Sequence, residues 1–388
     1  MIWRGFRVFL VIILVALLCR ACLLKDVPTA KDTIKTSTKN ETAINYPTPK
    51  NVTINGVDYL ESQAPIGKFG GEMIESTIGE GPKTFNPFNC KDNISSQLSG
   101  VMYDGLLTSD PITGQPVPKL AKSFSISPDG KTYTIKLRHG IKWSDGKPIT
   151  ADDVVFTWRD IIFAGLGDTS TRDSLVIDDK LPTVKKIDNY TVTFTTPKPF
   201  APFIRMLSTP IAPKHFFMPA VKNGGVDFDT FLSTNTKPSD FVVSGAFKLK
   251  EYVPAQRVVF ERNPNYYEIN KNGEKLPYLN RLVFLIVGDL NNEVLKFEAK
   301  ELDIISLQGA KVARYKAIEP HSDFKLYNLG PTTGTMYLSM NLNNRTNQKG
   351  KFYVDPIKQK WFQDLNFRRA VDYAIDRKNM VFNIANGI

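Results

Sequence analysis

Apolar and polar positions alternate strictly through Tyr133, Ile135 and Leu137, with Thr132, Thr134 and Lys136 between them. A period of two buries one face of a strand. Phe124 and Ile126 continue the alternation upstream, and Ser127-Pro128-Asp129-Gly130 separates the two runs. Proline supplies a fixed φ and glycine a positive one, so the segment predicts a hairpin. His139-Gly140 and Ser144-Asp145-Gly146 read as further turns around Trp143. The period then changes. Val154, Val155, Trp158, Ile161 and Ile162 recur at helical spacing and give one apolar face. Thr150-Ala151-Asp152-Asp153 precedes them as a capping box, with the Thr150 hydroxyl placed to accept from the Asp153 amide. Asp152 and Asp153 therefore read as a helix start rather than a catalytic pair. Trp143 and Trp158 read as core. Near the end, Phe367, Ala370, Val371, Ala374 and Ile375 share one helix face, with Asn366 and Asp376 as caps of this helix and the next.

The N-terminus follows another pattern. Arg4 and Arg7 precede an unbroken apolar run of 11 residues, Val8–Leu18. A membrane span needs about 20, whereas a basic start and a short apolar core form an export signal. Cys19-Arg20-Ala21-Cys22 follows. Its position at the end of an export signal argues against redox or zinc chemistry. It resembles a bacterial lipoprotein cleavage box, with Cys22 as the lipidated residue. Residues 1–21 are read as this signal. Residues 22–66, rich in Lys, Thr, Asn and Pro, are read as a flexible tether.

Composition changes the picture little. The 388 residues are 42% hydrophobic and 23% charged, an ordinary globular balance that excludes collagen, long disorder or a polytopic membrane protein. The net charge of +11 falls to +8 without residues 1–21, and the basic residues form no long block. Nucleic acid is therefore excluded as a partner. With Cys90 alone in the body, no intrachain disulfide framework forms there. Cys90 reads as a quiet small residue, with Lys91 as its one basic neighbour.

Catalytic and metal patterns are not found. His139, His215 and His321 are far apart and lack metal-ligand spacing. No Gly-x-Ser-x-Gly elbow occurs. Gly79–Thr84 is glycine-rich, but its spacing differs from a phosphate loop and Pro82 removes an amide donor. No sign of an enzyme, a cofactor or a metal is expected from these patterns.

The run LAKSFSISPDGKTYTIKLRHGIKWSDGKPITADDVVFTWRDI, Leu120–Ile161, resembles the signature of the family-5 extracellular solute-binding proteins. These are the oligopeptide- and dipeptide-binding components of ABC importers. Similar segments follow through the chain: Thr84-Phe85-Asn86-Pro87, Tyr103-Asp104-Gly105-Leu106-Leu107, Ser244-Gly245-Ala246-Phe247, Arg262-Asn263-Pro264-Asn265-Tyr266-Tyr267 and Leu282–Val287. Glu301-Leu302-Asp303-Ile304-Ile305 follows the family pattern with Lys300 in place of the usual Gly, and Phe367–Arg377 resembles the second-lobe helix. The resemblance covers about residues 67–388.

The resemblance implies an α/β fold, periplasmic-binding-protein-like type II, with two lobes, a hinge and an incomplete second lobe. The first lobe is expected over 67–287, with a hairpin-rich subdomain at about 100–200, and the partial second lobe over 288–388. Family members continue past the Phe367–Arg377 helix, so a C-terminal truncation is expected. The implied function is an extracytoplasmic receptor, periplasmic or on the outer face of the cytoplasmic membrane. It delivers peptides to the permease subunits of an ABC importer. It is monomeric, lipid-anchored at Cys22, and holds ligand in the cleft between lobes. Phe85, Asn86 and Tyr103 are implied cleft residues of the first lobe, and Tyr337, Met340 and Asn341, on a strand, of the second. Arg368 and Arg369 read as a solvated helix face. Two alternatives stay open: another solute (nickel, haem, a sugar or a peptidoglycan peptide), or a surface lipoprotein used for adhesion.

Overall fold

The computed structural model describes residues 50–384 except 112, 223–226, 308, 330–336 and 348. The expected export signal, Cys22 and most of the tether lie outside the described residues. The described chain divides into two units, one ending at Ile305 and one beginning at Ser306.

The first unit holds thirteen described strands. They are β1 (Lys50–Ile54), β2 (Val57–Glu61), β3 (Glu72–Ile78), β4 (Leu107–Ser109), β5 (Pro116–Pro118), β6 (Ala121–Ile126) and β7 (Thr132–Leu137), followed by β8 (Thr183–Asp188), β9 (Thr191–Thr195), β10 (Phe247–Val253), β11 (Arg257–Arg262), β12 (Glu268–Ile269) and β13 (Arg281–Val287). One sheet has the order β10-β11-β13-β3 and another β6-β7-β9-β8; β1-β2-β12 and β4-β5 are smaller. β13 runs parallel to β3, from Arg281 opposite Glu72 to Val287 opposite Ile78. The β6–β7 hairpin forms as its alternation predicts, with Phe124 opposite Ile135 and Ile126 opposite Tyr133. Tyr133, Ile135 and Leu137 are buried, while Ile126, beside the turn, is exposed.

Helices close over these sheets: α1 (Asn93–Met102), α2 (Ala151–Val155), α3 (Lys214–Lys222) and α4 (Leu290–Glu298). The expected capping box starts α2, where the Thr150 amide donates to Asp153 Oδ2 at 2.9 Å. The helix predicted through Ile162 is not α-helical throughout. Phe156–Ile162 is a π-helix, and the Phe163 and Leu166 amides reach back five residues to Trp158 and Ile161. The Thr157 hydroxyl donates to the Asp153 carbonyl and accepts from the Ala212 amide, which ties this wide turn to a neighbouring strand-like segment. π-turns of this kind are often found at functional sites.

Two apolar cores result. Trp143, Trp158, Phe194 and Phe203 fill one. Phe85, Phe88, Phe217, Phe228, Phe260 and Phe284 belong to the other. Both tryptophans are core residues with no exposed surface. Two glycines in the family-like motifs allow backbones to touch. A Cβ on Gly105 would lie 2.3 Å from the Ser208 carbonyl oxygen, and one on Gly245 would lie 2.5 Å from that of Val101.

The described part of the segment expected as a flexible tether, residues 50–66, includes paired strands. Residues 50–61 form the β1–β2 hairpin, and β2 adds parallel to β12. Asn55 and Gly56 both take positive φ, as a two-residue hairpin turn requires. The inward positions of β2 are Asp58 and Leu60. Half of the buried pair is thus a carboxylate, which a hydrophobicity reading counts as solvent-facing. Asp58 accepts from Thr53 Oγ1 at 2.6 Å, Lys122 Nζ at 2.9 Å and the His139 amide at 3.1 Å. Burial by itself would raise its pKa; these hydrogen bonds outweigh it and hold the carboxyl at about 2. Arg138, also buried, clasps the same hairpin through Asn51 Oδ1 and the Tyr59 carbonyl.

The unit break falls after Ile305, later than the boundary expected after Val287. α4 and the residues behind it stay on β3. Ser76 Oγ donates to buried Glu293 at 2.6 Å. Asp303 pairs with Ile74 like a strand residue, amide to carbonyl at 2.9 Å and carboxylate from amide at 2.7 Å. Lys300, in the place of the family's glycine, has φ +62° just after α4.

The second unit contains α5 (Ala310–Ile318), α6 (Pro356–Gln363), α7 (Leu365–Ala374) and α8 (Arg377–Ile384). Asp364, not the expected Asn366, caps α7 by accepting from the Phe367 amide at 2.9 Å. Asn366 already lies in the first turn, because an acid two residues earlier offers a better acceptor to the free amides. Asp376 caps α8 through the Asn379 amide at 3.0 Å. The apolar side of α7 exists, with Phe367 against Trp361 and Phe362, yet none of its residues is buried. Arg369 is exposed, as expected. Arg368 is half-buried instead, donating to the last carbonyls of α6 at Phe362 and Gln363.

Candidate functional site

The first unit has a cavity of about 490 Å³. α1 forms one wall. Its cap, Asp92, accepts from the Ser95 amide at 2.8 Å and turns Ser96 and Ser99 toward this side of the unit. The Tyr103–Leu107 segment leaves the C-terminal end of α1, and Lys119 joins it from the β5–β6 connection. Asp168, in the loop after the π-helix, and Ser170 and Thr171, at the start of the short helix Ser170–Ser174, complete the wall. Gly167 lets this loop approach the Phe88 backbone, because a Cβ there would lie 2.4 Å from the Phe88 carbonyl oxygen and its φ is +72°. The Asp168 amide then donates to that same carbonyl at 2.7 Å.

A charged cluster lies at one side of the cavity. The Lys119 ammonium contacts Glu268, the Tyr266 hydroxyl at 2.8 Å and Asp104 Oδ1 at 3.9 Å. Tyr267 donates to Asp104 Oδ2 at 2.8 Å, and Tyr266 donates to Glu268 at 2.9 Å. Burial opposes the charge on Lys119, but Glu268 and Asp104 outweigh it and hold its pKa above the usual lysine range. Burial pushes Asp104 up, opposed by Lys119 and by the Tyr267 hydrogen bond. Tyr266 and Tyr267 are likewise raised, first by burial and then by the neighbouring carboxylates. Arg138 braces the cluster from behind, 5.9 Å from the Tyr267 ring centre and bonded through Nε to the Lys119 carbonyl.

The residues expected from the sequence fare unequally. Tyr103 lines the cavity. It is buried, its hydroxyl has no hydrogen-bond partner, and burial raises its pKa. Phe85 is a core residue, packed edge-on against Phe241 and Tyr252. Asn86 is wholly buried and works as a loop staple, accepting from the Phe88 amide and donating to the Phe228 carbonyl. Neither lines the cavity. Tyr337, Met340 and Asn341 belong to the second unit. The strand expected there is not seen; the described residues 337–341 have no regular structure, since no described strand pairs with them. Tyr337 is 80% exposed, Met340 half-buried, and Asn341 accepts from the Asn343 amide. Cys90 lines the cavity with a thiol that burial pushes up and that donates to the Asn86 carbonyl at 3.2 Å.

Sequence reasoning did not single out Asp104, Lys119 and Asp168 on the cavity wall, or Glu268 beside Lys119. Asp104 and Lys119 sit inside the family-like segments, beside Tyr103 and between Pro118 and Leu120. The available signal was a charge at the edge of a buried apolar run. Among the described residues no group of His, Cys, Asp and Glu is placed to hold a metal.

Comparison with known proteins places the chain. Residues 115–388 match the family described as bacterial extracellular solute-binding proteins, family 5 Middle. A protein of Deinococcus radiodurans named "Probable ABC transporter-binding protein" is 31% identical over 309 residues, covering 77% of this chain and 50% of that protein. The periplasmic alpha-galactoside-binding protein of Rhizobium meliloti is 30% identical, covering 80% and 46%. Among solved structures, the oligopeptide-binding protein of Bacillus subtilis in complex with a nonapeptide superposes with a TM-score of 0.59 at 25% identity, covering 82% of this chain and 56% of that one. The chain belongs to the family-5 bacterial extracellular solute-binding proteins. It spans about half the length of the curated relatives it matches.

Proposed function

We propose that the protein is an extracytoplasmic receptor that binds peptides and delivers them to the permease subunits of an ABC importer. The observation that carries this reading is the family match over residues 115–388, joined to a relative whose solved complex holds a nonapeptide. The cavity supports it. Its wall combines apolar side chains with hydroxyls and carboxylates, the mixture of a solute site. A peptide is held by hydrogen bonds common to all sequences, with individual pockets reading side chains. In this reading a lipid on Cys22 keeps the receptor at the membrane as a monomer.

A second reading takes an alpha-galactoside as the solute, favoured by the Rhizobium relative and by the hydroxyls of Ser96, Ser99, Ser170 and Thr171 on the cavity wall. Thermal melting separates the two. A saturating peptide mixture is expected to raise Tm by about 5 °C, as binding at a large excess over Kd stabilises by about 2.7 kcal/mol. A shift with raffinose and none with peptides replaces the first reading by the second. No shift with either removes both.

A further inference from the structure

The receptor reading leaves open what holds the cavity in shape, and one buried side chain bears on that. Two stretches of the wall come from different parts of the chain. Ile162 and Leu166 lie at and after the end of the π-helix, and Ser208, Thr209 and Pro210 precede Ala212. The first stretch owes its course to the π-turn. One residue beyond the α count turns the side chains that follow by about 100°, so an α-helical path would aim Ile162 and Leu166 elsewhere. Asp168 fixes the far end of this stretch, its amide donating to the Phe88 carbonyl at 2.7 Å. The second stretch lies along the Asp104–Leu107 segment. The Ile211 amide donates to the Asp104 carbonyl at 3.0 Å, and the Leu107 amide to the Leu207 carbonyl at 3.1 Å. Thr157 touches both stretches' supports. It lies within the π-helix and is wholly buried. Its hydroxyl donates to the Asp153 carbonyl at 2.8 Å and accepts from the Ala212 amide at 2.9 Å. A hydroxyl has one donor and two acceptor positions, so both roles are met at once. Ala212 is buried as well, and an unpaired buried amide is unfavourable. Asp153 reinforces the joint by accepting from the Lys214 amide at 2.9 Å.

We infer that Thr157 is a positioning residue for the cavity. Through Ala212 its hydroxyl pins the Ser208–Pro210 stretch to the helix that carries Ile162 and leads to Leu166, and so sets the spacing of the two stretches without being part of the wall itself. The inference rests on the receptor reading, in which this cavity holds the solute, and adds a residue behind the wall on which affinity depends.

Calorimetric titration of the full chain with a tripeptide mixture and with raffinose tests it, on the unaltered protein and on Thr157→Val, Thr157→Ser and Ile135→Val. Valine matches threonine in shape and lacks the hydroxyl, whereas serine keeps it. Ile135→Val thins the buried core at a residue that is not on the wall, and so controls for lost stability. For whichever probe the unaltered protein binds, Thr157→Val is expected to weaken binding about tenfold, the scale of one lost buried hydrogen bond. Thr157→Ser and Ile135→Val are expected to bind as the unaltered protein does. Unchanged affinity in Thr157→Val overturns the inference and leaves the receptor reading standing. Equal weakening in Thr157→Val and Ile135→Val also overturns it, since general stability then sets affinity, and so does weakening that serine does not restore. Binding of neither probe by the unaltered protein removes the inference and the receptor reading together. Hydrogen exchange on the unaltered protein needs no variant. The bound probe is expected to slow exchange at the Leu166 amide on the wall and at the Ala212 amide behind it; slowing that leaves Ala212 unchanged overturns the inference even where Thr157→Val fails to fold.

Discussion

The two units hold their helices by different means. In the first, sheets and helices share filled interiors, and Trp143, Trp158, Phe194 and Phe203 have no exposed surface. In the second, Tyr315 and Gln359 are the buried side chains among the described residues. Three of its described helices, α6, α7 and α8, are capped by acids. Asp355 accepts from the Ile357 and Lys358 amides, Asp364 from Phe367, and Asp376 from Asn379. Caps act within one turn, whereas burial of apolar surface scales with the area removed from water. The difference teaches that a well-capped helix with an apolar side is defined locally without being locked in place.

That contrast can be broken from the packed side first. Trp158→Ala is expected to destabilise the first unit by about 4 kcal/mol, read by urea unfolding, because it empties the centre of the Phe194–Phe203 core. A loss under 1 kcal/mol would show that this core is not what holds the unit. Phe367→Ala, on the unburied face of α7, is expected to cost far less in the same assay.

The next effect is electrostatic. Asp58 is held at about 2, below its ordinary 3.8. A depressed carboxyl stabilises the fold above the unfolded pKa, and that contribution is lost as pH falls through the folded one. Unfolding free energy is therefore expected to drop by about 2 kcal/mol between pH 4 and pH 2 through this group. Asp58→Asn should remove that pH-dependent portion. An unchanged acid profile in the variant would mean that other carboxyls carry it.

Smaller effects sharpen the comparison. Asp364→Ala is expected to cost about 1 kcal/mol, confined to the second unit, and to speed hydrogen exchange at Phe367. Spread of that change into the first unit would contradict a purely local cap. Lys300→Gly is expected to stabilise by about 0.5 kcal/mol, since Lys300 takes φ +62° where glycine is unstrained. A loss of stability would mean that the lysine side chain contributes more than its backbone conformation costs.

Much of the fold was legible in short-range patterns. The β6–β7 hairpin, the Thr150–Asp153 box and the apolar run of β13 are encoded by residues within a few positions of each other. The π-turn over Phe156–Ile162 was not, because π and α spacing share an apolar side over so short a run, and the bonds that reach back five residues leave no mark in the sequence. The β1–β2 hairpin escaped notice because one of its two buried residues is Asp58, whose partners Lys122 and His139 are more than sixty positions away. The cavity wall was legible only in part. Tyr103 lay in a recognisable segment, but Phe85 and Asn86 beside it turned inward to core and loop duties.

By itself the sequence determined the family, the alternation of strands and helices, and the caps that start them. These depend on local stereochemistry and periodicity. Tertiary structure decided which charges meet. Asp104, Lys119 and Glu268 are separated by 15 and 149 residues along the chain, and no local pattern pairs them. Only the packing of strand and loop around Gly105 and Gly167 brings such groups to one buried cluster and one cavity, where low polarity makes each uncompensated charge count.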